Sequence, residues 1–100
     1  MKQCEVRQWL EDNATMQPGI LLVPSELEHV AMCLHHIWQW YVEGRPLGSF
    51  LKAVVRDEFS RACILADDTN RKALYLYALF LVNKIGDDYR EKALGKKEGE

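Results

Sequence analysis

Between one apolar helix and the next the chain reads Glu43-Gly44-Arg45-Pro46-Leu47-Gly48-Ser49-Phe50, and these residue types can make an anion site. Gly44 permits a left-handed turn, Pro46 stiffens it, and Gly48 allows close approach to the backbone. Ser49 and Phe50 open a helix whose first N–H groups lack internal partners, and Arg45 adds charge and paired donors. Asn70 and Arg71, at the head of a later helix, could lie beside the same turn. Gly44, Arg45, Gly48, Ser49, Phe50, Asn70 and Arg71 are therefore the candidate anion- or partner-binding residues. The segment has no Walker lysine and does not fit the dinucleotide fingerprint. The competing reading is a plain connector, with Asp67 or Asp68 pairing with Arg71 on the surface.

Other groups that could do chemistry fail on spacing. His29, Cys33 and His36 suggest zinc, but positions 29 and 36 lie about 10 Å apart along a helix axis. Zinc ligands sit roughly 2.0–2.3 Å from the ion, so one metal does not gather all three. A Cys33 nucleophile with His29 as base lacks a nearby oxyanion site and an orienting group. Asp57, Glu58, Asp67 and Asp68 read as helix caps before they read as acid–base pairs. No catalytic residue, metal or cofactor is expected.

The chain has 100 residues, 48% of them hydrophobic, which suits one domain. With 28% charged residues and a net charge of −2, it is neither a polyanion nor a basic nucleic-acid binder. Lys52, Arg56, Arg61, Arg71 and Lys72 alternate with acids, so no basic recognition helix emerges, and nucleic acid is not an expected partner. No stretch approaches the roughly 20 apolar residues of a membrane span. The start, Met1-Lys2-Gln3-Cys4-Glu5, reaches charge too early for a signal peptide. Cys4, Cys33 and Cys63 form no motif and suit a reducing compartment. The expected location is the cytoplasm, without membrane association.

These residues need helices to hold them. Residues 3–12 can form a first helix, and 13–23 a loop that lays Ile20-Leu21-Leu22 across the core. Ser25-x-x-Glu28 reads as a capping box starting a second helix, which runs to about Glu43 and stops at Gly44. A third starts near Ser49. Asp57 can cap a segment from Glu58 to Leu65, and Asp67 can cap one from Asn70 to Ile85. The apolar register through 59–81 equally permits a single kinked helix there. Tyr75, Tyr77 and Phe80 read as core. The expected fold is all-α, a compact domain of four or five helices over residues 1–85, with a disordered, charged tail over 86–100.

The second helix is apolar on two sides. Leu27, Val30, Ala31, Leu34, Ile37, Trp38 and Tyr41 make one stripe, and His29, Cys33, His36 and Trp40 a second. The second stripe either forms a subunit interface, most simply a homodimer, or lies beneath the first helix and the following loop.

The block Trp40-Tyr41-x-Glu43-Gly44-x-Pro46-x-Gly48-Ser49-Phe50-Leu51-x-Ala53-Val54, then Asp57, Ala66-Asp67-x-x-Asn70-Arg71 and Phe80-Leu81-x-Asn83, carries a resemblance. It resembles a group of small proteins encoded in bacteriophages and prophages, with a Gly-x-Pro-x-Gly-Ser-Phe-Leu core and a downstream Ala-Asp-x-x-Asn segment. The resemblance covers about residues 40–83. Those proteins often have Asn-Asp where this chain has Arg56-Asp57, and Tyr-Asn where it has Val82-Asn83. The resemblance implies a genomic setting, in which small accessory proteins commonly act on host machinery and often inhibit bacterial defence systems.

The expected function is therefore non-enzymatic. It is a phage or prophage accessory protein that binds and blocks a bacterial host protein, such as an anti-phage defence component, as a homodimer in the host cytoplasm. A second reading is a module that sequesters a phosphorylated or cyclic nucleotide signal, and a third is a nucleic-acid-binding regulator.

Overall fold

The computed structural model describes residues 1–17, 19 and 21–95. Among the described residues seven helices follow in order: α1 (Gln3–Thr15), α2 (Pro24–Glu43), α3 (Ser49–Val55), α4 (Phe59–Leu65), α5 (Asp68–Lys72), α6 (Leu74–Lys84) and α7 (Tyr89–Ala93). The fold is all-α, with no strand among the described residues. The radius of gyration, 13.2 Å, is that of a compact chain of this length.

Helix α1 buries Val6 and Leu10, one turn apart, and sets Trp9 edge-on to Phe80 of α6 with ring centroids 5.1 Å apart. It runs beyond residue 12 because Asn13 and Thr15 bond back to the preceding turn, Asn13 Nδ2 donating to Trp9 O at 2.8 Å and Thr15 Oγ1 to Glu11 O at 2.9 Å. Helix α2 starts one residue before Ser25. Pro24 takes the first helical position, where its missing N–H costs nothing. Glu26 then accepts the Val23 N–H at 3.0 Å. The Ser25–Glu28 box does not form, because Glu28 turns to α1, where it pairs with Arg7 and accepts from Gln3.

The loop before α2 also differs from expectation. Leu21 is exposed and only Leu22 packs on the core, while Ile20 lies outside the described residues. Lys72 of α5 fastens this loop, donating to Leu21 O at 3.1 Å and pairing with Glu26 at 2.8 Å. The lysine holds the Glu26 carboxyl below its usual range, helped by the Val23 N–H.

Gly44 ends α2 as expected, with φ 79° and its N–H bonded to Trp40 O at 3.1 Å. Asp57 does not cap α4. It takes the left-handed position that ends α3, with φ 58°; its N–H goes to Val54 O and that of Glu58 to Ala53 O. Aspartate tolerates this conformation better than most side chains. Asp67 does cap, accepting the Asn70 N–H at 2.8 Å and opening α5. The chain between residues 58 and 85 is therefore neither one kinked helix nor two, since it breaks at Ala66-Asp67 and again at Ala73.

Tyr77, Phe80, Leu10, Leu34, Ile37 and Leu76 are the largest fully buried side chains. Tyr75, expected in this core, is instead exposed. The helical body also continues past Ile85. Helix α7 is tied to α3 by Tyr89 Oη donating to Asp57 at 2.8 Å, and to α2 by Tyr41 Oη donating to Asp88 at 2.6 Å. Lys92 lies 5.3 Å from the centre of the Tyr41 ring. Of the expected tail, residues 96–100 lie outside the described residues.

Candidate functional site

The turn after α2 does not gather the residues assigned to it. Gly44 serves to end the helix, and Arg45 folds back so that Nη1 donates to Gln39 Oε1 at 2.9 Å. Gly48 stands at the N-cap of α3. Phe50 packs edge-on against Tyr77, with ring centroids 5.3 Å apart. Asn70 is 6% exposed and accepts the Tyr77 hydroxyl proton at 2.6 Å, so it is a buried structural amide. Arg71 donates to Asp68 at 3.1 Å and to Ala66 O at 3.2 Å. The seven residues are divided among helix ends, the core and the surface of α5.

The second stripe of α2 is likewise divided. Cys33 is buried and lies 3.7 Å from His29 Nε2, and His29 Nε2 is 3.8 Å from Asp67 Oδ2. This grouping resembles a Cys–His–Asp relay, but thiol and carboxylate meet the same ring nitrogen. A relay needs the orienting carboxylate on the opposite nitrogen. Burial also pushes the Cys33 thiol up, away from the reactive thiolate. His36 is lowered by partial burial and by the Arg45 charge. Every residue from His29 to Tyr41 is at least half-buried within the single chain, with α1 covering part of the helix through Arg7–Glu28 and His35–Met1 O. Of the four interface candidates, Cys33 is buried, and His29, His36 and Trp40 are partly exposed in the single chain. Among the described residues no group of three or more His, Cys, Asp or Glu side chains could hold a metal ion. No helix among them is long and apolar enough to cross a membrane.

Phe59, Tyr75 and Val82 are exposed around a groove of about 440 Å³ between α3, α4 and α6, while Met16, Leu21, Val23, Val42, Ile64 and Leu65 are exposed outside its lining. Phe59 of α4 is 75% exposed, and Tyr75 and Val82 of α6 are 53% and 64% exposed. Ala53 and Ala62 form part of its wall, and Tyr89 of α7 lines it too. Tyr75, Ala78 and Val82 stand at i, i+3 and i+7, a stripe distinct from the buried Leu76, Tyr77, Phe80 and Leu81. That spacing was present in the sequence, though the run Leu74–Val82 is so apolar that it reads as core all round.

Beside this groove is a second, polar cavity of about 400 Å³, lined by Ser49, Lys52, Ala53, Arg56, Glu58 and Arg61. Lys52 of α3 and Arg56 at its C-cap stand at i, i+4, and Arg61 reaches in from α4. Arg56 Nε is 3.8 Å and Arg61 Nε 4.0 Å from the Glu58 carboxylate, too far for hydrogen bonds. Ser49 is the one residue of the expected anion site found here. These cations alternate with acids along the chain, but folding brings three of them into one cavity with Glu58. No protein-family model, curated protein or solved structure matches the chain.

Proposed function

We propose that this is a non-enzymatic binding protein that captures a protein partner through the groove between α3, α4 and α6. The observation that supports this is the exposure of Phe59, Tyr75 and Val82 around one concavity. Large apolar side chains clustered on a surface favour association. Covering them contributes about 1.5–3 kcal/mol each, against an association cost of about 4–15 kcal/mol. The groove alone thus supports weak capture, and a working interface draws on the surface beside it.

The resemblance over residues 40–83 falls on the segment that builds the groove. It favours a phage or prophage accessory protein acting in the cytoplasm of a bacterial host, with a defence component as the blocked partner. The test is phage plating on defended bacteria that express the chain. Wild type restores plating, a Tyr75→Asp/Val82→Asp variant of unchanged melting temperature does not, and Arg45→Ala still does. Equal activity of the groove variant and wild type would remove this surface from the function. Sedimentation velocity checks the homodimer expected from α2; a monomer at high micromolar concentration removes it without touching the groove.

A second reading, supported by the basic cavity, is sequestration of a phosphorylated or cyclic nucleotide. Ligand that binds only the folded chain raises stability by about 2.7 kcal/mol at a hundredfold excess over Kd. A thermal-shift series with nucleotides therefore separates the two.

A further inference from the structure

The groove and the basic cavity share Ala53 and Glu58 in their linings, so an apolar half and a cationic half adjoin. We infer that its occupant is an amphipathic, acidic segment of a partner protein. The apolar stripe of that segment fills the groove, and its carboxylates reach Lys52, Arg56 and Arg61. The inference rests on the partner-binding reading above and names the chemistry of that partner.

Charge complementarity decides the sign. The whole chain carries −2, yet this cavity sets three cations against the carboxylate of Glu58, and Asp57, which lines the adjoining groove, accepts from Tyr89 and lies 4.0 Å from Arg90. Arg56 Nε is shielded from solvent and has no hydrogen-bond partner among the described residues. Lys52 makes no ion pair among them, and Arg61 reaches Glu58 only at 4.0 Å. Lys52 and Arg61 are exposed and favour incoming carboxylates, which the Arg61 guanidinium can grip in paired fashion, while the shielded Arg56 Nε contributes charge and no reachable donor. The other half sets the shape. Tyr75, Ala78 and Val82 present a ridge at helical spacing opposite Phe59, and such a trough receives the apolar face of a helix through anchors at i, i+3 or i+4, and i+7. A phosphorylated small molecule would satisfy the cations and leave Phe59 and Val82 in water. An acidic amphipathic segment satisfies both halves.

Selection from a displayed library of random peptides of about 16 residues, roughly four helical turns, against the intact immobilised chain tests this. Enriched peptides should pair apolar residues at helical spacing with a cluster of Asp or Glu, and their binding should weaken with salt. Lys52→Glu/Arg61→Glu and, separately, Tyr75→Asp should each weaken them by about tenfold or more, with melting temperatures unchanged. Neutral or basic peptides that lose binding in Tyr75→Asp but ignore the Lys52 and Arg61 changes would overturn the acidic assignment and leave the groove reading standing. Peptides indifferent to all three substitutions, or no enrichment, would overturn both. Saturable binding of pyrophosphate or ATP that fails in Arg56→Gln but survives Tyr75→Asp would give the cavity to a phosphorylated ligand and overturn the inference.

Discussion

Removing one oxygen from the core tests whether Asn70 is a structural amide or a binding group. Tyr77 is fully buried, and its hydroxyl donates to Asn70 Oδ1 at 2.6 Å. Burial and the neighbouring Cys33 hold that hydroxyl well above its usual range, so it stays a donor at any working pH. Tyr77→Phe keeps the ring and its edge-on packing with Phe50 but leaves a buried amide oxygen without its donor. The loss is a net hydrogen bond plus part of the penalty for an unsatisfied polar atom, about 1.5–3 kcal/mol together. For a chain of this size each 1 kcal/mol moves the melting temperature by about 4–8 °C. Urea unfolding followed at 222 nm measures the cost for Tyr77→Phe, Asn70→Ala and the double variant. The double variant should cost less than the two singles combined, by about 1–2 kcal/mol, because the shared bond is lost once. Additivity within about 0.5 kcal/mol would refute the structural role. So would an Asn70→Ala chain of wild-type stability that no longer binds its partner.

Tyr89 makes the attachment of α7 sensitive to pH. Burial, then the bond to Asp57 and its negative charge, pushes the hydroxyl up to about 12, whereas an unfolded tyrosine titrates near 10. A raised value stabilises the neutral form, so the contribution is whole below about pH 10 and is lost as pH rises toward 12; titration at 295 nm should show one fewer late tyrosine in Tyr89→Phe, while those of Tyr77 and Tyr41, also raised, remain. Gly86→Val should release α7, because a side chain there would overlap the Tyr41 hydroxyl and approach Asp88; faster amide exchange over residues 87–95 with an unchanged core is expected, and unaltered exchange would refute it. Asp67→Ala should cost about 1 kcal/mol by removing the α5 cap. Asp67→Asn should recover most of that in thermal unfolding.

Where local chemistry alone decides, the fold was legible. Gly44 had to end a helix and Asp67 could cap one, and both do. Where two local solutions competed, tertiary partners chose. Val23-Pro24-Ser25-Glu26 and Ser25-x-x-Glu28 are overlapping start signals, and the first wins because Arg7 of α1 claims Glu28. Asp57 can cap a helix or enter the left-handed region. The second option frees its carboxylate for Tyr89 and Arg90, which lie far along the chain. The turn misled for a related reason. Closeness in sequence does not make these residues converge, because Arg45 folds back along α2 and Phe50 packs inward on Tyr77. Tyr75 shows the limit of periodicity, since nothing local separates its stripe on α6 from that of Tyr77.

The residues on which the proposed phage-protein resemblance rests mostly have internal tasks. Gly44 ends α2, Gly48 begins α3, Phe50 packs on Tyr77, Asp67 caps α5, and Asn70 accepts the Tyr77 proton. A motif of this kind specifies a scaffold, and partner choice then falls to the surface side chains the scaffold holds. Two positions where this chain departs from the resembling proteins are Arg56 and Val82. The first lines the basic cavity and the second the groove. Arg56→Asn together with Val82→Tyr, which installs the residues those proteins often carry, should therefore change what is bound and not how the chain folds. Val82 is mostly exposed, so its replacement belongs with surface changes of within about 0.5 kcal/mol. Asparagine removes the unsatisfied Arg56 donor and leaves Lys52 and Arg61 nearer to balance with Glu58. Acidic peptides selected on the wild-type chain should then bind about tenfold more weakly, with melting temperature within a few degrees of wild type. Undiminished binding of those peptides would separate the departures from partner choice and return the specificity to the motif itself.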